Sequence, residues 1–277
     1  MGRNCRGKTS IVTENGNILS EDSDKAMAFN AFFFESIQYI VANNATSLNG
    51  DVNIFRTLIP QQSTFVLQKV NRNNVEVILN NLNCNKGPGY DNITPKMLLV
   101  RKELGTDIVK DFFNMMIDDG NYPDVLKIHK IIPILKTVGA SNIVNFRPTS
   151  IFSITDNVIE KLIYEQISDY VYENRILFER QFGFKKGLKL RKLLSVLWII
   201  YMTNFIVDNS GVAAVFFDYS KAFDLVNNNI LVQKLVNIGV SNTTLEILRN
   251  YLRNRTQFVQ ISESKIQLTP VFHKVVY

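Results

Sequence analysis

The chain has 277 residues, 46% of them apolar and 20% charged, and its 31 Lys and Arg against 25 Asp and Glu give a net charge of +6. This apolar share is typical of a globular protein and excludes a disordered one. The cationic excess permits binding to a polyanion without requiring it. With two Cys and two His, widely separated in the sequence, a disulfide framework and a Cys/His zinc site are both excluded.

The sequence also argues against a membrane or secreted protein. The longest apolar run, residues 193–202, is about half of the roughly 20 residues that a membrane span needs. The polar and basic residues 1–17 do not have the pattern of a signal peptide. We therefore expect an intracellular chain, in the cytoplasm or the nucleus, with no membrane and no disulfide-linked partner.

The first predicted elements, in chain order, lie before residue 65. Residues 1–20 predict at most a short hairpin. A helix is expected after Ser23 as its N-cap, with Phe29, Phe33, Ile37 and Ile40 on one face. Residues 42–62 are rich in Asn, Ser and Thr and predict a linker and a domain boundary.

Helices and one strand are then expected up to residue 135. One helix is expected after a cap at Asn73 or Asn74. Another is expected after Thr94 as its cap, with Pro95 in the first turn. An apolar stripe at 108–116 also predicts helix, which ends at Gly120. Residues 128–135, IHKIIPIL, predict a strand that its proline restricts to an edge or a bulge.

Beyond a loop at 136–150, a helix is expected from a Thr155 cap and another over 190–207. Residues 212–217, VAAVFF, predict a strand buried on both faces. Helices at 229–238 and 242–252 and a strand at 256–262 follow.

Asp218 ends the predicted buried strand, in the segment VFFDYSKAFD. A carboxylate at the carboxyl end of a central strand is rigid and reachable from solvent. Such a position suits Mg²⁺, which takes hard oxygen ligands and keeps waters and phosphates in its remaining positions. Taken alone the pattern is weak, since an Asp after a strand is more often a turn former or a helix cap.

Seven segments supply a wider context. In order they are GPGYDNITPKML, GNYPDVLKIHKIIPILK, NFRPTSIFS, VIEKLIYEQISDYV, FERQFGFKKG, FFDYSKAFDLVNNNIL and YLRNRTQFVQI. The series, over about residues 70–261, resembles the reverse transcriptases of non-LTR (LINE-like, jockey-like) retrotransposons.

The resemblance implies an α+β fold, the fingers and partial palm of a right-hand polymerase, helix-rich and with an incomplete sheet. Residues 1–65 would form an N-terminal extension of one helix and a linker. Residues 66–277 would form a truncated reverse transcriptase domain, with fingers over 66–207 and the start of the palm over 208–277. The implied reaction is RNA-templated DNA synthesis by two-metal nucleotidyl transfer. Its partners are an RNA template, a DNA primer and deoxynucleoside triphosphates, and its cofactor is Mg²⁺.

The resemblance also assigns individual roles. Asp218 matches the first catalytic, metal-binding carboxylate, and the Tyr219 carbonyl would be a further metal ligand. Phe223 matches the aromatic residue that excludes a ribose 2′-hydroxyl. Lys136 and Arg147 match residues that contact the triphosphate, where Arg bonds phosphate oxygens bidentately and Lys supplies a point charge.

These roles have structural alternatives. Lys136 and Arg147 could be solvated loop charges, Phe223 could be a core aromatic, and Asp224 fits a carboxylate at a helix N-terminus better than a metal ligand.

Residues 178–192 carry six cations and one acid with interleaved Phe, a composition that fits a single-stranded nucleic-acid track. In the family's pattern Gln181 and Phe182 help to seat the template, and Lys185, Lys186 and Lys189 extend the basic track. Arg253 and Arg255, near the end of a predicted helix, could reach a primer backbone. The alternative is a solvated charged face with the Phe side chains in the core.

The family supplies its other metal-binding carboxylates from a Tyr-x-Asp-Asp hairpin, and no Asp-Asp pair follows Asp218 here. We therefore expect a C-terminally truncated polymerase that is inactive alone. The alternatives are a non-catalytic nucleic-acid-binding remnant and a structural protein without a nucleic-acid role.

Overall fold

The protein is described here by a computed structural model, which covers residues 10–44, 64–137, 139–178, 181–185, 194–195, 198–199, 201–203, 213, 215–219, 221–261, 264–265 and 269–270. The chain divides into two compact units. The first comprises Met1–Ser168 and Phe223–Tyr277, and the second comprises Asp169–Ala222.

The first unit mixes helices with short strands. In chain order its elements are β1 (Ile11–Val12), β2 (Ile18–Leu19), α1 (Asp22–Asn44), α2 (Arg72–Asn80), α3 (Pro95–Val100), α4 (Lys102–Asp119), a 3₁₀ turn (Asp124–Lys127), β3 (Ile128–Leu135), a 3₁₀ turn (Ile143–Asn145), β4 (Phe146–Ile151), α5 (Ile154–Glu173, whose last turn enters the second unit), α6 (Asn228–Asn237), α7 (Asn242–Leu252), β5 (Thr256–Ile261), β6 (Ser264–Lys265) and β7 (Thr269–Pro270). This mixture is compatible with the predicted α+β class, while the assignment to fingers and palm stays a prediction.

The first two helices begin slightly earlier than predicted. α1 starts at Asp22, so Ser23 lies inside its first turn rather than at the cap. Asn71, rather than Asn73 or Asn74, caps α2: its side chain accepts from the Asn74 amide, and the Asn74 side chain accepts from the Asn71 amide. This reciprocal capping box satisfies two amides that the helix leaves free.

The next helices follow their sequence signals more closely. Thr94 caps α3, and Gly120, in the left-handed region at a φ of 63°, ends α4, both as predicted. α5 begins ahead of the predicted Thr155 cap, because the Ser153 hydroxyl accepts a hydrogen bond from the Asp156 amide.

β3 pairs with a strand on each side. The sheet has the order β4-β3-β5-β6, with β7 also on β5, and β3 is antiparallel to β4 and parallel to β5. The prediction of an edge strand is therefore wrong for β3 as a whole. The pairing with β5 ends at Ile131, however, so this ladder does not reach Pro133.

Pro133 lies directly opposite Pro148 in the β3–β4 ladder. The Lys136 amide donates to the Asn145 carbonyl at 2.8 Å, which fixes the alternation of bonded and non-bonded pairs. Bonded and non-bonded pairs alternate, and the two prolines lie three positions from the hydrogen-bonded pair of Lys136 and Asn145. They therefore form a non-bonded pair, in which neither residue donates an N–H to the other strand. The strand therefore accommodates its proline without losing a hydrogen bond to β4.

α1 packs on one face of this sheet. The shared core consists of Ile11, Ala26, Phe29, Phe33, Ile131, Ile143, Phe146 and Val259. The predicted inward direction of Phe29 and Phe33 is confirmed, with 1% and 4% of their surfaces exposed. α1 thus shares a core with the sheet, and the domain division near residue 65 stays a prediction because residues 45–63 lie outside the described ranges.

In the second unit, residues 194–195, 198–199 and 201–203 are helical, within the predicted helix over 190–207. None of the helices described in either unit is both long enough and apolar enough to span a bilayer.

Gly89 is expected to tolerate no larger residue, because it packs against the backbone just before α5. A Cβ at this position would lie 2.6 Å from the Ser153 nitrogen and 2.7 Å from the Phe152 oxygen. We expect Gly89→Ala to lower the free energy of unfolding by about 1–3 kcal/mol, measured by urea denaturation. Gly87→Ala is the matched control, since a Cβ there would lie within 4 Å of no described atom outside its own chain neighbours. Equal losses in both variants would contradict the close-contact explanation.

Candidate functional site

Lys136 and Arg147 lie on the same face of the β3–β4 hairpin. Arg147 is paired with Ile134 across the ladder, and the bond from the Lys136 amide to the Asn145 carbonyl extends the ladder beyond Leu135. Side chains alternate along a strand and share a face with the residue opposite. Lys136 and Arg147 are therefore diagonal neighbours in the ladder, and the Cα atoms of such neighbours lie about 7–8 Å apart. One multivalent anion could contact both cations.

Both side chains are exposed. The Lys136 ammonium donates to the Val144 carbonyl at 2.7 Å, which steadies the ammonium but, because a carbonyl carries no net charge, does not neutralise it. Several ion pairs among the described residues use other cations, including Lys25, Lys69, Arg72, Lys110, Lys127, Arg249 and Arg255. The hairpin therefore presents two positive charges to solvent.

The segment before Asp218 differs from its prediction. Residues 213 and 215–217, the described part of the predicted buried strand, are exposed and form no strand, with Phe217 87% exposed. The prediction of a strand buried on both faces is wrong for these residues. Such a strand needs hydrogen-bonded neighbours on both sides, and residues 213 and 215–217 belong to no strand of the sheets that the structure describes.

Asp218 and Tyr219 belong to the second unit, so their proximity to the hairpin cations stays a prediction. The side chains of both are exposed. The Asp218 carboxylate and the Tyr219 carbonyl are donors of the type that Mg²⁺ prefers, but they fill only two of its positions. Among the described residues, no group of three or more His, Cys, Asp or Glu could hold an ion. These residues alone do not complete a magnesium site.

The predicted template-binding residues are only partly described. The Gln181 side chain donates to the carbonyl of Gly183 at 3.1 Å, and Gln181, Phe182 and Lys185 are each half-buried. Lys186 and Lys189 lie outside the described residues. A role of this segment in template binding therefore stays a prediction.

Three further residues were predicted to contact the nucleotide or the primer: Phe223, Arg253 and Arg255. Phe223 is 38% exposed, so it is not a fully buried core aromatic, and its role against the sugar stays a prediction. Arg253 is exposed at the end of α7. Arg255 is only 2% exposed and points at buried carboxylates. A guanidinium in the interior cannot reach a primer backbone, which corrects the expectation for Arg255.

Arg255 lies instead within a buried ion cluster that the sequence analysis missed. We give this name to Tyr122, His129, Asp156, Glu160, Tyr251 and Arg255. The cluster joins four parts of the first unit: the segment before β3, β3 itself, α5, and the end of α7 with the residue before β5.

The guanidinium of Arg255 is held on several sides. Its Nε donates to His129 Nε2 at 2.8 Å, and its Nη1 donates to the Tyr251 carbonyl at 2.9 Å. Its Nη2 lies 3.6 Å from an Asp156 oxygen and 3.9 Å from a Glu160 oxygen. The guanidinium also stacks on the Tyr251 ring, 4.5 Å from the centroid.

Two tyrosines complete the cluster. The Tyr122 hydroxyl donates to Asp156, and the Tyr251 hydroxyl donates to Glu160 at 2.8 Å. Their rings meet edge to face at a centroid distance of 4.9 Å. Each carboxylate therefore has one hydroxyl donor and shares the single cation.

Burial shifts the protonation of both acids. Desolvation raises the pKa of Asp156 to about 6, against the opposing influence of Arg255 and Tyr122. Desolvation and the charge of Asp156 raise the pKa of Glu160 to about 8. At pH 7 the two acids therefore hold about one proton between them, and the one remaining negative charge balances that of Arg255.

A sequence signal for this cluster does exist. Asp156 and Glu160 are four residues apart on the predicted helix, an arrangement that is unfavourable for like charges. Asp156 also falls among the inward-facing positions, which include Ile159 and Ile163. An acid on a buried helical face requires a partner, but the pattern does not identify Arg255 as that partner.

Two curated proteins from Drosophila melanogaster are similar to this chain. A probable RNA-directed DNA polymerase from transposon BS is 27% identical over 213 residues, which is 74% of this chain and 22% of that protein. The RNA-directed DNA polymerase from mobile element jockey is 22% identical over 213 residues, which is 76% of this chain and 23% of that protein. The chain thus spans less than a quarter of either relative, and comparison with protein-family models gives no match. Both relatives are of the kind that the seven segments resemble, which confirms that resemblance.

Proposed function

From this similarity to the RNA-directed DNA polymerases of non-LTR retrotransposons, we propose that the chain is a segment of a reverse transcriptase. In this proposal the β3–β4 hairpin binds the triphosphate of an incoming deoxynucleotide through Lys136 and Arg147. The observation that carries it is the pair of exposed cations on one face of the hairpin.

The chemistry of a triphosphate suits this pair. Arg147 can bond two phosphate oxygens at once, and the Lys136 ammonium can approach another as a point charge. The hydrogen bond from Lys136 to the Val144 carbonyl fixes the ammonium at the end of the hairpin where the β3–β4 connection begins. Two phosphates of one chain could therefore be held across the diagonal of the ladder.

The other family roles belong to the same proposal. Asp218 would bind a divalent metal, with the Tyr219 carbonyl as a second ligand, and Phe223 would contact the sugar. The metal would neutralise phosphate charge and activate the primer hydroxyl. An RNA template and a DNA primer would contact Gln181, Phe182, the basic residues that follow them, and Arg253. The exposed carboxylate of Asp218 and the exposed side chain of Arg253 are compatible with these roles.

Arg147→Ala is expected to weaken binding of a deoxynucleoside triphosphate by about ten- to a hundred-fold, since a hydrogen bond to a charged group contributes about 1.5–3 kcal/mol. Arg147→Lys should be intermediate because it keeps the charge and loses the bidentate geometry. Isothermal titration of the 277-residue chain measures both. Binding of the deoxynucleoside without phosphates should not change.

Lys161→Ala is the matched control, because it removes an exposed cation from α5. Loss of affinity in this control equal to that of Arg147→Ala would indicate general charge attraction and contradict the hairpin assignment. The same titration with and without Mg²⁺, and with Asp218→Ala, separates the polymerase proposal from a metal-independent nucleic-acid-binding remnant. Metal-dependent affinity that Asp218→Ala abolishes supports the polymerase proposal.

A further inference from the structure

The β3–β4 hairpin is held from outside by residues at the start of the chain. The Val12 amide donates to the Ser141 carbonyl at 2.9 Å, and Val12 forms a parallel bridge with Asn142. Ser141 and Asn142 belong to the connection between β3 and β4, so this contact fixes the connection at its far end.

The connection leads from Asn142 to Lys136 through three hydrogen bonds. The Asn142 side chain accepts from the Val144 amide at 3.1 Å, which starts the 3₁₀ turn. The Val144 carbonyl accepts from the Lys136 ammonium at 2.7 Å, and the Asn145 carbonyl accepts from the Lys136 amide at 2.8 Å. The position of Asn142 therefore sets the position of the Lys136 charge.

A second contact acts on Arg147. The rings of Phe29 and Phe146 meet edge to face with centroids 4.8 Å apart, and both residues are buried. Phe146 precedes Arg147 in β4 and points to the opposite face, so the Phe29 contact fixes the backbone from which Arg147 projects. Ile11 lies in the same core cluster.

We propose that Ile11, Val12 and Phe29, the N-terminal brace, are positioning residues for Lys136 and Arg147. This inference rests on the proposed function of the hairpin. The brace does not touch the nucleotide; it holds the two cations at the spacing that a triphosphate requires, and its loss lowers affinity through them.

Val12→Pro removes the hydrogen bond from the Val12 amide to the Ser141 carbonyl and leaves the hydrogen bonds between β1 and β2 intact. The Thr13 amide donates to the Asn17 carbonyl, so the neighbouring pair of Val12 and Ile18 is a non-bonded pair whose amides point away from each other. Ile18→Pro is therefore the matched control, because it places a proline at the residue that pairs with Val12. Ile18 is 71% exposed.

We expect Val12→Pro to weaken triphosphate binding about three- to ten-fold, the usual worth of one hydrogen bond, and Ile18→Pro to leave it unchanged. Combined with Lys136→Ala, Val12→Pro should cause little further loss, since its effect passes through the Lys136 ammonium. Phe29→Leu, which keeps an apolar core residue but removes the ring contact with Phe146, should weaken binding to a similar extent through Arg147. Hydrogen–deuterium exchange should be faster over residues 136–146 in Val12→Pro and unchanged in Ile18→Pro.

Three outcomes would overturn the inference. If Arg147→Ala weakens binding and Val12→Pro does not, the brace has no positioning role although the proposed function stands. Equal losses from Val12→Pro in the presence and absence of the Lys136 ammonium would show an effect that bypasses this hairpin cation. If Arg147→Ala leaves affinity unchanged, the proposed function fails and the positioning role falls with it.

Discussion

Replacement of Arg255 by Met is expected to lower the free energy of unfolding by about 3–5 kcal/mol at pH 7, the cost of removing one partner from a buried ion pair. Met fills much of the space but leaves Asp156 without the cation that lies 3.6 Å away. It also leaves His129 Nε2 without its donor. Both residues are fully buried, so water cannot replace what is lost. Urea denaturation followed by circular dichroism measures the change.

Arg253→Met is the matched control for this loss. Arg253 is exposed two residues away from Arg255, and its replacement should change stability by less than about 0.5 kcal/mol. The defect of Arg255→Met should shrink at pH 5, where protonation removes the unpaired charge of Asp156. Equal stability of the two variants at pH 7 would mean that the buried guanidinium contributes nothing.

Elements that depend on local chemistry were predicted well from the sequence. Thr94 and Gly120 bound their helices as predicted, and the strand at 128–135 and the helix at 242–252 have the predicted limits. Each of these signals lies within a few residues of the element it specifies. Tertiary contacts were not needed to place them.

The failures depend on residues that are distant in sequence. An apolar run such as VAAVFF predicts a buried strand only if neighbouring strands are present to receive it. Arg255 has the same sequence signature as Arg253, two residues earlier. It is buried because Asp156 and Glu160, about a hundred residues earlier, offer it a negative site. No local pattern distinguishes these two arginines.

The candidate site, like the fold, could be predicted from the sequence only in part. Lys136 and Arg147 were selected by resemblance to a family pattern, and the hairpin brings them to one face through a register that the sequence does not specify. The brace from Val12 could not be inferred, because the sequence suggested that residues 1–65 were a separate extension. Their shared core with β3 and β5 depends on the packing of α1 on the sheet.

The stability of the protein is expected to fall as the pH rises from about 5 to about 8. Desolvation raises the pKa of Glu160 to about 8 and that of Asp156 to about 6 in the folded state, whereas unfolded carboxyls titrate near 4. Over this range the folded chain binds more protons than the unfolded chain, so raising the pH favours unfolding. The free energy of unfolding then falls by up to about 1.4 kcal/mol per pH unit for each proton that the folded chain binds in excess of the unfolded chain. The stabilisation is complete below about pH 4 and is lost as the pH passes through the folded-state values.

Glu160→Gln should remove most of this dependence between pH 6 and pH 8. Gln is neutral, like the protonated acid, and its oxygen can still accept from the Tyr251 hydroxyl, which is 2.8 Å from Glu160. The groups that face position 160, namely Tyr251, Arg255 and Asp156, stay in place. The variant should therefore be more stable than the parent at pH 8 and similar to it at pH 5, in urea denaturation at each pH. Glu165→Gln, an exposed change on the same helix, should keep the parent's slope. A slope that persists in Glu160→Gln would place the titrating group elsewhere, because no proton can then leave position 160.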